Sequence, residues 1–66
     1  MKVAVNGAQR ELQAGATVAL LLDDLGVPHD GVAVAVNERV VPRSQHATLE
    51  LTDGDRVEVV HAVAGG

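Results

Sequence analysis

At 66 residues the chain has room for one domain, expected over 1–66, and so small a domain buries only roughly 60% of its unfolded surface. It has no cysteine, which excludes disulfides, a thiolate nucleophile and cysteine-ligated metal. Net charge is −4, the five basic residues (Lys2, Arg10, Arg39, Arg43, Arg56) are scattered, and there is no aromatic stacking platform. Nucleic acid is therefore not an expected partner, whereas a protein with a basic face is.

No apolar run approaches the ~18 residues of a membrane span, and no signal-peptide pattern opens the chain. The expectation is a soluble cytoplasmic protein with no membrane partner. Phe, Tyr, Trp and Ile are all absent, so Val, Leu and Ala supply nearly all the apolar mass. Valine favours strands because its branched Cβ suits a pleated surface. A valine-rich chain with one leucine cluster predicts a sheet and a helix.

In chain order, "MKVAVNGAQRELQA" predicts a hairpin. Val3 and Val5 alternate with Lys2 and Ala4, and Asn6-Gly7 tolerates the positive φ angles of a tight turn. The return strand is expected over about Gln9–Ala14, anchored by Leu12. Its weak apolar character suits a sheet edge, where Arg10 and Glu11 discourage further pairing.

"GATVALLLDDLGVP" follows. Val18, Leu21, Leu22 and Leu25 fall on one helical face, which predicts a helix over about Thr17–Leu25. Thr17 is placed to cap it, Gly26 to close it, and Pro28 lies just beyond. Asp23 and Asp24 sit near the C-terminal end, where the helix dipole disfavours acids. They are expected to be solvated and available to a partner.

"GVAVAVNERVVPRS" places Val32, Val34 and Val36 in alternation with alanines, a strand covered on one side and lightly exposed on the other. Asn37-Glu38 is the expected turn, and Arg39-Val40-Val41 a short paired strand stopped by Pro42. A 3₁₀ turn or loop is expected around Ser44–Ala47, followed by an extended piece. Asp53-Gly54 turns the chain into a last strand carrying Val57, Val59 and Val60. One helix long enough to cross a mixed four- to five-stranded sheet gives a two-layer α+β domain.

Catalysis within the chain has little support. The hydroxyl candidates are Thr17, Ser44, Thr48 and Thr52. His29, His46 and His61 are isolated, form no i, i+4 metal pair and are expected at the surface; Ser44 and His46 have no third, orienting group. The carboxylate pairs at Asp23-Asp24 and in "TDGD" read as solvated turn and helix-end groups. No metal, bound cofactor or catalytic residue is expected.

The final "AVAGG" is read differently. Gly65 and Gly66 follow a strand, so the fold is expected to project them as a flexible tail that enters a narrow cleft. The one distinctive reactive group is then the α-carboxylate of Gly66. It is ionised at neutral pH and a poor electrophile until activated, for example as an anhydride with AMP. That activation needs ATP and Mg²⁺. The chain has no phosphate-binding G-x-x-x-x-G-K-[ST] loop, so a partner must perform it.

Taken together, "VNG" closing the first strand, "TVALLLDDLG", "VAVAVNERVVPRSQ", "DGDRVEVV" and the terminal "AVAGG" resemble the ThiS family of bacterial sulfur carriers of thiamine biosynthesis. That family has the ubiquitin-like β-grasp fold, and the resemblance covers nearly the whole chain. Where the family often carries aromatics, in the last strands or near "PR", this chain has His61 and His46. The resemblance implies that a ThiF-like adenylyltransferase converts the Gly66 carboxylate to an acyl-adenylate, with Ala64 and Gly65 threading into partner sites. It implies next that a persulfide derived from cysteine through a desulfurase displaces AMP, leaving a thiocarboxylate. Thiazole synthase then takes the sulfur into the thiazole ring. The valine-rich, charge-poor sheet face is the docking surface this implies.

Two other readings share parts of this pattern. A β-grasp carrier for another pathway (molybdopterin synthase small subunit, tRNA thiolation or cysteine synthesis) has the same tail and fold. A ubiquitin-like modifier or interaction module has the fold without the sulfur chemistry.

Overall fold

The computed structural model describes residues 1–61. The elements in chain order are β1 (Lys2–Val5), β2 (Ala8–Glu11), α1 (Val18–Leu25), β3 (Val32–Val36), β4 (Arg39–Val41), a 3₁₀ turn (Arg43–Gln45) and β5 (Arg56–His61). The strands form one sheet in the order β2-β1-β5-β3-β4. β1 and β5 pair in parallel at its centre, and every other pairing is antiparallel. A five-stranded mixed sheet with one main helix is the α+β, β-grasp arrangement expected. No helix among the described residues is long and apolar enough to cross a membrane.

Both hairpins turn as their residues require. Asn6 and Gly7 have φ of 50° and 85°, and Asn37 and Glu38 have φ of 51° and 70°. Positive φ at both central residues is the mirror-image turn whose twist matches that of the flanking strands. β2 ends at Glu11, short of the expected Ala14. Its register runs from Val5↔Ala8 to Lys2↔Glu11, so β1 has no further residue to offer beyond the Leu12 N–H to Met1 carbonyl bond of 2.8 Å.

The helix has the expected limits. Thr17 Oγ1 accepts from the Leu20 N–H at 3.2 Å. The two preceding helical N–H groups are taken by loop carbonyls, Val18 by Leu49 at 3.1 Å and Ala19 by His46 at 2.7 Å. The positive end of the helix is thereby closed by the protein's own backbone. At the other end Gly26 takes a left-handed φ of 73°, and the Val27 N–H returns to the Leu22 carbonyl at 3.1 Å. That pattern needs a residue without a Cβ penalty, which explains the glycine.

The buried core is aliphatic throughout: Val3, Val5, Val18, Leu21, Leu22, Val34, Val41, Leu51 and Val57. With no large ring to fill space, the helix contributes Leu21 and Leu22, both fully buried, against the strand valines. The expected loop after β4 is a 3₁₀ turn one residue earlier than the sequence placed it, and the extended piece after it makes a bridge, Thr17↔Glu50.

One local expectation is corrected, the surface placement of His46, and two are refined. Asp23 and Asp24 are exposed but not free. Asp24 pairs with Arg10 of β2 at 2.8 Å, and Asp23 with His29 Nε2 at 2.8 Å. The acids that the helix dipole disfavours are thus met by partners from β2 and from the loop after α1. His29 lies partly exposed at the surface, as expected, and holds that contact. His46 is not at the surface at all, being 4% exposed. Its Nε2 lies 3.2 Å from the Val41 carbonyl, which only accepts, so Nε2 carries the proton. The 3₁₀ turn tucks the ring under β4, and its Nδ1 finds no hydrogen-bond partner among the described residues.

Candidate functional site

The residues expected to carry the chemistry, Gly66, Gly65 and Ala64, lie outside the described residues. The described part of the site is the strand that leads to them. Among the described residues β5 is the second-longest element and the strand that lies between β1 and β3. It enters the sheet through a polar lock. Asn37 Oδ1 accepts from the Arg56 N–H at 3.0 Å, and Asn37 Nδ2 donates to Asp55 at 2.9 Å. Asp55 also accepts from the Thr52 N–H at 2.8 Å and the Thr52 hydroxyl at 2.9 Å. Burial pushes the Asp55 carboxyl up, but the bonds from the Thr52 backbone, the Asn37 amide and the Thr52 hydroxyl together hold it below its ordinary value.

Near its other end β5 is held again. Asn6 Oδ1 accepts from the Val59 N–H at 2.9 Å, and Asn6 Nδ2 donates to the Val59 carbonyl at 3.1 Å. Sequence reasoning assigned both asparagines to turns and missed these side-chain roles. Positive φ was the legible part; the partners are far along the chain.

The strand's two faces differ. Val57, Val59 and His61 point to the helix side, where a cleft of about 460 Å³ lies between the first hairpin and the end of α1. Leu25, Val27, Val59 and His61 are among the residues that line it. Arg56, Glu58 and Val60 point to the side that α1 leaves uncovered. Cross-strand register puts Val60 opposite Ala33, and Ala35 opposite both Glu58 and Val40. Val60 and Val40 are 62% and 79% exposed. With Ala33 and Ala35 they form a shallow apolar depression interrupted by one charge, Glu58. This is the charge-poor sheet face expected for docking, confined to the β5-β3-β4 half.

Thr17 is committed to the helix cap and Thr52 to Asp55. Thr48 bonds to the Gln45 carbonyl at 3.4 Å. The three histidines are dispersed, with His29 on Asp23, His46 under β4 and His61 at the end of β5. Among the described residues no group of three or more His, Asp or Glu side chains is placed to hold a metal ion. What the described residues offer is an exposed apolar depression beside a central strand held by the side chains of Asn37 and Asn6.

The model of the ThiS family matches residues 3–66. Over 66 residues, the whole of both chains, the sequence is 36% identical to the sulfur carrier protein ThiS of Escherichia coli (strain K12). It is 42% identical, over all its residues, to a thiazole synthase of Paramagnetospirillum magneticum, of whose length it spans 20%. The crystal structure of a ThiS protein from Geobacter metallireducens superposes with a TM-score of 0.83 at 30% identity, covering 100% of each chain.

Proposed function

The chain belongs to the ThiS family, and on that footing we propose that it is a sulfur carrier of thiamine biosynthesis rather than an enzyme, loaded at the Gly66 carboxylate. The observation that carries this reading is the family match itself, which runs through both final glycines. A carboxylate at the end of a side-chain-free segment is open to attack once activated.

In this reading a ThiF-like adenylyltransferase joins the Gly66 carboxylate to AMP, with ATP and Mg²⁺ bound by that partner and pyrophosphate released. Ala64 and Gly65 thread into its cleft. The terminal sulfur of a persulfide, generated by a cysteine desulfurase, then attacks the acyl carbon and AMP leaves. Cleavage of the sulfur–sulfur bond by a thiol yields the thiocarboxylate and a disulfide. Thiazole synthase receives the sulfur. An ATP-dependent step of this kind fits the cytoplasm.

Two observations support the choice of partners. A domain similar to this whole chain makes up a fifth of the Paramagnetospirillum thiazole synthase. Joining a carrier to its acceptor raises their effective concentration, so such a union is meaningful where the two cooperate. The apolar depression at Val60, Ala33, Ala35 and Val40 adjoins the strand that leads to Gly66. A partner seated there rests on β5, the strand whose sequence leads on to Gly66.

Pyrophosphate release on mixing the chain with ATP, Mg²⁺ and a ThiF-like adenylyltransferase tests the proposal. Release is expected with the full chain and not after deletion of Gly65 and Gly66. Equal release from both overturns it. Offering the sulfur-loaded chain to thiazole synthase and, separately, to the molybdopterin synthase large subunit tests the pathway. Thiazole formation supports the reading, and turnover only by the second protein replaces it with a carrier of the other pathway.

A further inference from the structure

β1 and β5 share only a short parallel ladder, Ala4↔Arg56 and Val5↔Val57. The Asn6 N–H still reaches the Val57 carbonyl at 2.9 Å, after which β1 turns away at Asn6-Gly7. β5 continues to His61. From Val59 onward, no strand among the described residues lies beside its β1-side edge. The Asn6 side chain fills that place. Its amide presents one acceptor and one donor, and both are used on the same residue, Val59, at 2.9 and 3.1 Å. A carboxamide bonded in this way reproduces the next step of a ladder that the backbone has left. On the opposite edge β3 holds the strand through Val34↔Val59, Ala33↔Val60 and Val32↔His61. The last part of β5 is thus gripped on both edges, by a strand on one side and a single side chain on the other.

We propose that Asn6 is a positioning residue for the reaction at Gly66: its amide fixes the Val59 backbone in the strand that leads to Gly66. This rests on the carrier reading of Gly66. Asn6 touches no reacting atom. It acts through Val59, two positions before the end of β5. When the grip is lost, the end of the strand is held along one edge alone. Backbone order that the free protein supplies must then be imposed in the partner's cleft, at about 1–2 kcal/mol for each residue ordered. The docking face, which β3 and β4 share with β5, is untouched. Docking through that face comes first, and the chain end is ordered only as Gly66 reaches the nucleotide, so the loss falls on kcat for adenylation and not on KM.

Asn37 provides the matched control. It has nearly the same backbone, φ 51° against 50°, in the equivalent turn, and its side chain also bonds to β5, but at Arg56, the opposite end of the strand. Glycine keeps positive φ available at either position, so Asn6→Gly and Asn37→Gly each remove a side-chain clamp without straining the turn. Steady-state adenylation by a ThiF-like adenylyltransferase is measured for the full-length wild type and both variants, with amide exchange of Val59 followed by NMR. We expect Asn6→Gly to lower kcat about fivefold to tenfold, with KM within twofold of wild type, and to speed exchange at Val59. Asn37→Gly is expected to leave kcat in place while lowering the unfolding midpoint. Asn6→Asp, which keeps the acceptor for the Val59 N–H but sets a carboxylate oxygen against the Val59 carbonyl, is expected not to recover the rate. Equal kcat losses in both glycine variants, or an unchanged kcat in Asn6→Gly, would reduce Asn6 to a structural residue and overturn the proposal. Failure of the wild type to be adenylated would overturn it together with the carrier reading.

Discussion

Replacing Val60 with serine is expected to weaken docking to the adenylyltransferase while leaving the fold in place. A valine side chain gains about 1.5–3 kcal/mol on complete burial. Val60 is 62% exposed in the free protein, so docking has about 1–2 kcal/mol left to gain at this position. Serine forfeits that gain, which corresponds to a Kd raised about 5- to 30-fold. The cost to the fold is smaller, because the side chain contributes little to the core; reduced strand preference accounts for at most about 1 kcal/mol. Isothermal titration of the partner without ATP measures Kd, and urea unfolding checks that the variant is folded. Gln13→Ser, in the exposed loop after β2, is the control and is expected to bind as wild type. A Val60→Ser Kd within twofold of the control would refute the assignment of this face.

Three further outcomes concern the fold that presents the site. Leu22 is fully buried in α1, so Leu22→Ala is expected to cost about 2–5 kcal/mol, a large share of the stability of so small a domain, seen as a lower urea midpoint. Glu38 pays a left-handed φ of 70° in a position suited to glycine, while its contact with Arg56, 3.5 Å long and exposed, contributes little. Glu38→Gly is therefore expected to raise stability by about 0.5–1 kcal/mol, read as a higher melting temperature. Asp55 has a folded pKa below its ordinary value of 3.8, so the carboxylate stabilises the fold above that pH and its contribution fades as pH falls through the lower, folded value. Asp55→Ala is expected to lose about 1–2 kcal/mol at neutral pH, with the gap from wild type closing below about pH 3.8; a gap independent of pH would contradict the bonding described.

The elements with local causes are legible in the sequence. Thr17, the leucine face and Gly26 define the helix because capping, periodicity and left-handed closure all act within a few residues. Asn6-Gly7 and Asn37-Glu38 announce their turns for the same reason. The remainder depends on residues brought together by the parallel β1/β5 pairing and by the crossing of the helix. Arg10 meets Asp24 only because β2 lies at the sheet edge beside the end of α1. Asn6 meets Val59 only because β5 returns to lie beside β1. His46 is buried because the 3₁₀ turn directs its ring to the Val41 carbonyl, and no local pattern around His46 signals that. At the site, the chain's composition singled out the Gly66 carboxylate. Sulfur as its cargo came from family resemblance, since no residue in the chain encodes which atom a carboxylate will carry.

The claim that Gly66 is the loaded group is tested most directly by the mass of the C-terminal peptide. The chain is incubated with ATP, Mg²⁺, a ThiF-like adenylyltransferase and a persulfide source, then digested and weighed. One oxygen-to-sulfur exchange is expected, confined to the peptide ending in Gly66 and dependent on ATP. A chain that gains no sulfur, or gains it on another peptide, contradicts the account.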